Sequence, residues 1–124
     1  MPRESCLVHR KGDRLILIRE SFIHLFAEDH CCAALLALLE YLTSNEIDRM
    51  EKAEEAGSPW VRASLHQICT DMVEHYSRRM VQDRLQWMKG WEILEIDDTT
   101  PGEVRSYLIA IDDINEMLDN RRIL

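Results

Sequence analysis

Arg78 and Arg79 stand side by side in the stretch HYSRRMVQDRLQWMKGW (75–91), with Ser77 before them and Gln82 and Gln86 after. These side chains suit nucleic acid better than covalent chemistry. A guanidinium fork donates to phosphate oxygens or, bidentate, to guanine O6 and N7, and a glutamine amide matches the edge of adenine. On a helical wheel of about 100° per residue, Val81, Leu85 and Met88 share one face. Gln86, Arg79 and Asp83 centre opposite, Gln82 lies to one side and Arg78 nearer the boundary, while Met80 and Trp87 share a flank. The arginines fall in the first turn, the end of a recognition helix that enters the major groove in helix-turn-helix proteins.

Other reactive residue types lack a constellation. Of the four cysteines, Cys31 and Cys32 are adjacent within a helical pattern, Cys69 falls on another helix and no CxxC occurs. They read as small apolar core residues. The alternatives are a metal site at His30, Cys31 and Cys32, disfavoured because neighbours on a helix diverge by about 100°, or a redox switch. His66 and Cys69 share a face at i, i+3 without a third ligand in view. His24, His30, His66 and His75 sit among apolar residues, and no sequence signal brings two carboxylates into one pocket. Gly-rich phosphate loops, GxSxG and HExxH are missing. The reading is a non-enzyme with no catalytic residue, no metal and no cofactor.

Charge sharpens the question, because the 124-residue chain carries a formal net charge of -8. An acidic protein is a poor general binder of phosphate, but the distribution of charge decides. Arg3 to Glu20 holds five basic residues (Arg3, Arg10, Lys11, Arg14, Arg19) against three acidic ones. Ser77 to Lys89 holds Arg78, Arg79, Arg84 and Lys89 against Asp83 alone, whereas acid concentrates in 46–55 and 92–119. The longest apolar run, CCAALLALL, is too short to span a bilayer, and the opening residues lack a leader pattern, so the expectation is a cytoplasmic protein that does not enter membranes.

Positioning these side chains needs a scaffold, and the periodicities supply one. Two short extended runs flank Lys11-Gly12-Asp13. Ser21 is placed to cap a short helix over 22–29, and Asp29 the next, with Cys31, Leu35, Leu38, Leu39 and Leu42 on one face and Gly57-Ser58-Pro59 as its stop. Ser64 and Gln67 form a capping box for a helix carrying Leu65, Ile68, Cys69, Met72 and Val73. After a tight turn, Ser77 caps the helix from Arg78 to about Lys89, with Gly90 as its stop. WEILEI and EVRSYLIAI alternate as strands about the turn DDTTPG, and Asp113 with Glu116 forms a box opening a last helix.

Helix, helix, tight turn, amphipathic basic helix and hairpin is the order of a winged helix. RLILIRESFIHLFAEDHCCAALLALLEYL resembles the opening of the winged-helix domain of phage replisome organisers and plasmid replication initiators, and WVRASLHQICTDMVEHYSRRMVQDRLQWM resembles its second half. The likeness covers roughly residues 14 to 110. It implies a DNA-binding winged helix with Arg78, Arg79, Gln82 and Gln86 turned to DNA. Two features depart from the pattern: Asp83 in the middle of the exposed face, and a wing carrying Glu92, Glu95, Asp97, Asp98 and Glu103 against Arg105.

The expected fold is therefore a mainly α winged helix-turn-helix with a small β-hairpin, one domain over 1–124. It comprises a lead-in (1–20), a helical core (21–89) with the helix-turn-helix at 64–89, a wing (91–110) and a C-terminal helix (112–124). The expected function is duplex DNA binding in replication initiation or transcription regulation, by a homodimer; the extension of the long helix past residue 43 reads either as its pairing surface or as an exposed charged helix. Contacts would come from Ser77, Arg78, Arg79, Gln82 and Gln86, with Arg10, Lys11 and Arg14 adding backbone contacts. The alternative is a winged helix that binds a protein partner through its acidic wing or C-terminal helix.

Overall fold

A computed structural model describes residues 18–72, 75–99 and 103–124. The lead-in run about Lys11, with Arg10 and Arg14, lies outside the described residues. The described elements are α1 (Glu20–Leu25), α2 (His30–Lys52), β1 (Val61–Ser64), α3 (Leu65–Asp71), α4 (Arg78–Gly90), β2 (Leu94–Asp97), β3 (Val104–Ile109) and α5 (Ile111–Asp119). From α2 onward this is a winged helix-turn-helix: helix, strand, two helices, then a hairpin whose returning strand pairs with the first strand. The sheet order is β1-β3-β2, antiparallel throughout, with Val61 opposite Tyr107 and Leu94 opposite Ile109.

The core forms around α2. Residues Cys31 to Leu36, with Leu39, are all buried, so the first turns of this helix are apolar on every side. A helix apolar all round must be wrapped, and α1, α4, β1 and β3 wrap this one. The single stripe read from sequence is thus too narrow a description: Leu38 and Leu42 on that stripe are half-buried, while Cys32, Ala33, Ala34 and Leu36 off it are buried. Val61, Ala63, Leu94, Tyr107 and Ile109 form the inner face of the sheet, and Val81, Leu85 and Met88 fix α4 on the same core. Burying each of the larger aliphatic side chains among them contributes about 1.5–3 kcal/mol.

Three caps lie where the residue types place them. Asp29 Oδ1 accepts from Cys32 N at 2.9 Å, Ser64 Oγ from Gln67 N at 3.0 Å and Ser77 Oγ from Met80 N at 3.1 Å. Other boundaries correct the sequence reading. Arg19, not Ser21, is the N-cap of α1, and it makes no side-chain cap bond. Asp113 does not cap α5, which starts earlier at Ile111 with Ala110 as N-cap, so Asp113 lies in its first turn. The segment opening at Val61 is a third strand rather than a mere lead into α3.

Helix ends explain the remaining differences. α2 stops at Lys52, before Gly57-Ser58-Pro59, and α4 runs through Gly90. The left-handed residue that turns the chain is Glu54 (φ 55°) after α2 and Glu92 (φ 61°) after α4. Around Glu92 the N–H of Ile93 donates to Met88 O at 3.2 Å and that of Glu92 to Lys89 O at 3.0 Å. That pair of bonds is a Schellman motif, with Ile93 and Met88 both buried beneath it. The same pattern closes α1 at Ala27 (φ 51°), α2 at Glu54 and α5 at Arg121 (φ 50°). None of the four uses glycine at the left-handed position.

Candidate nucleic-acid interface

The helix α4 is strapped to the domain on both flanks, and the strip left between the straps is the candidate interface. On one flank Arg84 Nε donates to Asp29 Oδ2 at 2.9 Å, with side chains only 19% and 21% exposed. The Arg84 guanidinium also lies over the Trp87 ring, 4.0 Å from its centroid. Trp87 meets Trp91 at 6.0 Å, and Trp91 stacks on Phe26 at 5.9 Å. Arg84 is therefore removed from the basic set read in the sequence. Its charge is spent joining α4 to the N-terminus of α2, where Asp29 already caps the helix.

On the other flank Arg78 Nη2 donates to Glu103 Oε1 at 3.0 Å, with side chains 58% and 56% exposed. This contact ties the first turn of α4 to the residue just before β3. No sequence signal identified it, because 25 positions separate the partners and only the closing of the wing brings them together. The pair is accessible to solvent, so Arg78 can exchange its carboxylate for another anion.

Between the straps, Arg79, Gln82, Asp83 and Gln86 are exposed, as is Lys89 towards the C-terminal end. Arg79 and Lys89 have no ion-pair partner among the described residues. Ser77 Oγ is taken as an acceptor by the Met80 amide, which leaves its hydroxyl hydrogen free to donate outward. The structure thus brings Ser77, Arg78, Arg79, Gln82 and Gln86 onto one helix and its cap. Asp83 sits among them, so the strip is amphoteric rather than uniformly cationic. Met80 and Trp87 add apolar surface, Trp87 being 45% exposed.

Among the described residues, the polar cluster at the end of α2 is paired within itself. A cleft of about 500 Å³ lies between the end of α2, the loop before β1 and the sheet edge, lined by Glu46, Arg49, Met50, Trp60 and Arg62 among others. Arg49 in it is held by Glu46 and by Glu55, whose carboxylate Arg49 keeps below its ordinary range. Cys31 and Cys32 are buried, and burial, with Asp29 nearby, pushes their thiols up to about 11 and about 12. Thiols so placed stay protonated at neutral pH and are poor nucleophiles or ligands. Among the described residues no three His, Cys, Asp or Glu side chains gather as a metal set, and no helix is long and apolar enough to cross a membrane. Compared with protein-family models, curated proteins and solved structures, the chain gives no match in any of the three.

Proposed function

We propose that this protein binds duplex DNA through α4, in replication initiation or transcriptional regulation. The observation that carries the reading is the exposed first turn of α4, with Arg78, Arg79 and Gln82 facing solvent on the second helix of a helix-turn-helix. The arginines would grip phosphate or guanine edges, and Gln82 and Gln86 would meet base edges in the major groove. The cytoplasmic location expected from the sequence goes with this role, as does the absence of a membrane-spanning helix among the described residues. Pairing of two copies belongs to the same reading. The second copy would lie along the exposed extension of α2 past residue 43, with Tyr41 (63% exposed) at its start, and would set two α4 helices on successive half-sites.

The test is a titration of mixed-sequence duplex at about 50 to 200 mM salt. Log affinity should fall with log salt by about 0.9 for each phosphate neutralised. Replacing Arg78 and Arg79 with alanine should weaken binding at every sequence and flatten that slope by up to about 1.8, two phosphates' worth. Salt-insensitive binding, or none at all, would overturn the reading. A second reading, a protein-binding module, draws on the acidic wing and, on the opposite flank of α4, on the exposed Met80 and Trp87. Retention of one specific protein by the doubly substituted chain would favour it.

A further inference from the structure

We infer that Glu103 is an internal competitor for Arg78, occupying in the free protein the anion position that a DNA phosphate takes in the complex. This rests on the DNA-binding reading and goes beyond it, because it assigns a role to the wing. Three observations carry it. Arg78 is the N-terminal residue of α4, and its guanidinium is already bonded to a carboxylate at 3.0 Å. Both side chains remain more than half exposed, so the pair can open without unpacking the core. Glu103 is one of five acidic residues in the wing, with Glu92, Glu95, Asp97 and Asp98, set against Arg105.

A carboxylate and a phosphate oxygen ask the same thing of a guanidinium, a charge-assisted hydrogen bond. Phosphate either displaces Glu103 or shares the guanidinium with it, and in both cases the carboxylate then lies beside a second anion. The exchange penalises every duplex alike, since it involves the backbone and not the bases. Glu103 therefore lowers affinity for arbitrary DNA and leaves discrimination to base contacts such as those of Gln82 and Gln86. The opposite strap, Arg84 to Asp29, cannot act this way because both partners are largely buried.

The experiment is a double-mutant cycle of Glu103→Gln and Arg78→Ala, titrated on mixed-sequence duplex over the same salt range. Glu103→Gln alone should tighten binding about two- to fivefold, the size of an exposed ion pair, and steepen the salt slope by up to about one phosphate. In the Arg78→Ala background the same change should give a clearly smaller gain, because the group it competes for is gone. If Arg78→Ala binds below detection, the double variant should do so as well. An equal gain in both backgrounds would reduce Glu103 to bulk charge and overturn the competition, as would an unchanged affinity in a protein that binds. Binding by Glu103→Gln where the unaltered protein shows none would support it most directly. Binding by neither would overturn this inference and the DNA reading together.

Discussion

Asp29 performs two tasks with one carboxylate. Oδ1 accepts the Cys32 amide at the start of α2, and Oδ2 receives Arg84 from α4. The first satisfies an amide that the helix leaves without a partner, and the second joins α4 to α2 across a largely buried contact. Asp29→Ala loses both and strands a partly buried guanidinium, so it should destabilise the protein by about 2–3 kcal/mol. Asp29→Asn keeps an acceptor for the cap and should cost about half as much. Urea unfolding checks this, with midpoints expected to fall in that order at an unchanged denaturant slope. Equal losses for the two variants would mean that the cap contributes little and the ion pair nearly everything. At the same scale Arg78 and Arg84 look alike in the sequence, two cations on one helix, but one is exposed and exchangeable while the other is fixed in the body of the domain.

Most elements were legible from side chains that do their work locally, although the cap signals at Ser21 and Asp113 misplaced two helix starts. Asp29, Ser64 and Ser77 announce their helices because a cap bonds its own neighbours. The alternation in 91–111 announces the hairpin, and the face of Val81, Leu85 and Met88 announces which side of α4 turns inward. Long-range partners were not legible. The strand β1 is four residues long and is defined by pairing with β3 some forty residues on. The partners of Arg78 and Arg84 are likewise set by tertiary packing alone. Helix stops misled for a different reason: glycine was the expected signal, yet Glu92 holds the left-handed position and Gly90 lies within the helix. This difference can be tested by exchange. A non-glycine residue held left-handed is strained, and glycine inside a helix is costly, so Glu92→Gly and Gly90→Ala should each stabilise the protein by about 0.5–1 kcal/mol. A Cβ added at Gly90 would meet nothing within 4 Å, so no clash opposes the second change. Thermal melts decide it, and destabilisation by Gly90→Ala would return the stop to the glycine.

At the scale of the whole molecule, the proposed DNA binding requires a protein of net charge -8 to approach a polyanion with the arginines of α4 in front. Which charge the DNA feels depends on the screening length. Near 0.1 M salt that length is about 10 Å, shorter than the domain is wide, so the first turn of α4 dominates and the acidic remainder is largely hidden. Near 0.01 M it is about 30 Å, and the repulsion of the entire chain reaches the duplex. Counterion release continues to favour binding as salt falls, but the growing repulsion opposes it. The plot of log affinity against log salt should therefore be straight above roughly 0.1 M and flatten below roughly 0.03 M, where the screening length grows towards the width of the domain. Removing wing acids remote from Arg78, as in Asp97→Asn with Asp98→Asn, should extend the straight region to lower salt while leaving the high-salt slope unchanged. Titrations from 10 to 300 mM salt on one duplex measure both limbs. A slope that stays constant to the lowest salt, in the unaltered protein and the variant alike, would show that the acidic body lies too far from the duplex to be felt, and that the strip on α4 meets DNA as though it stood alone.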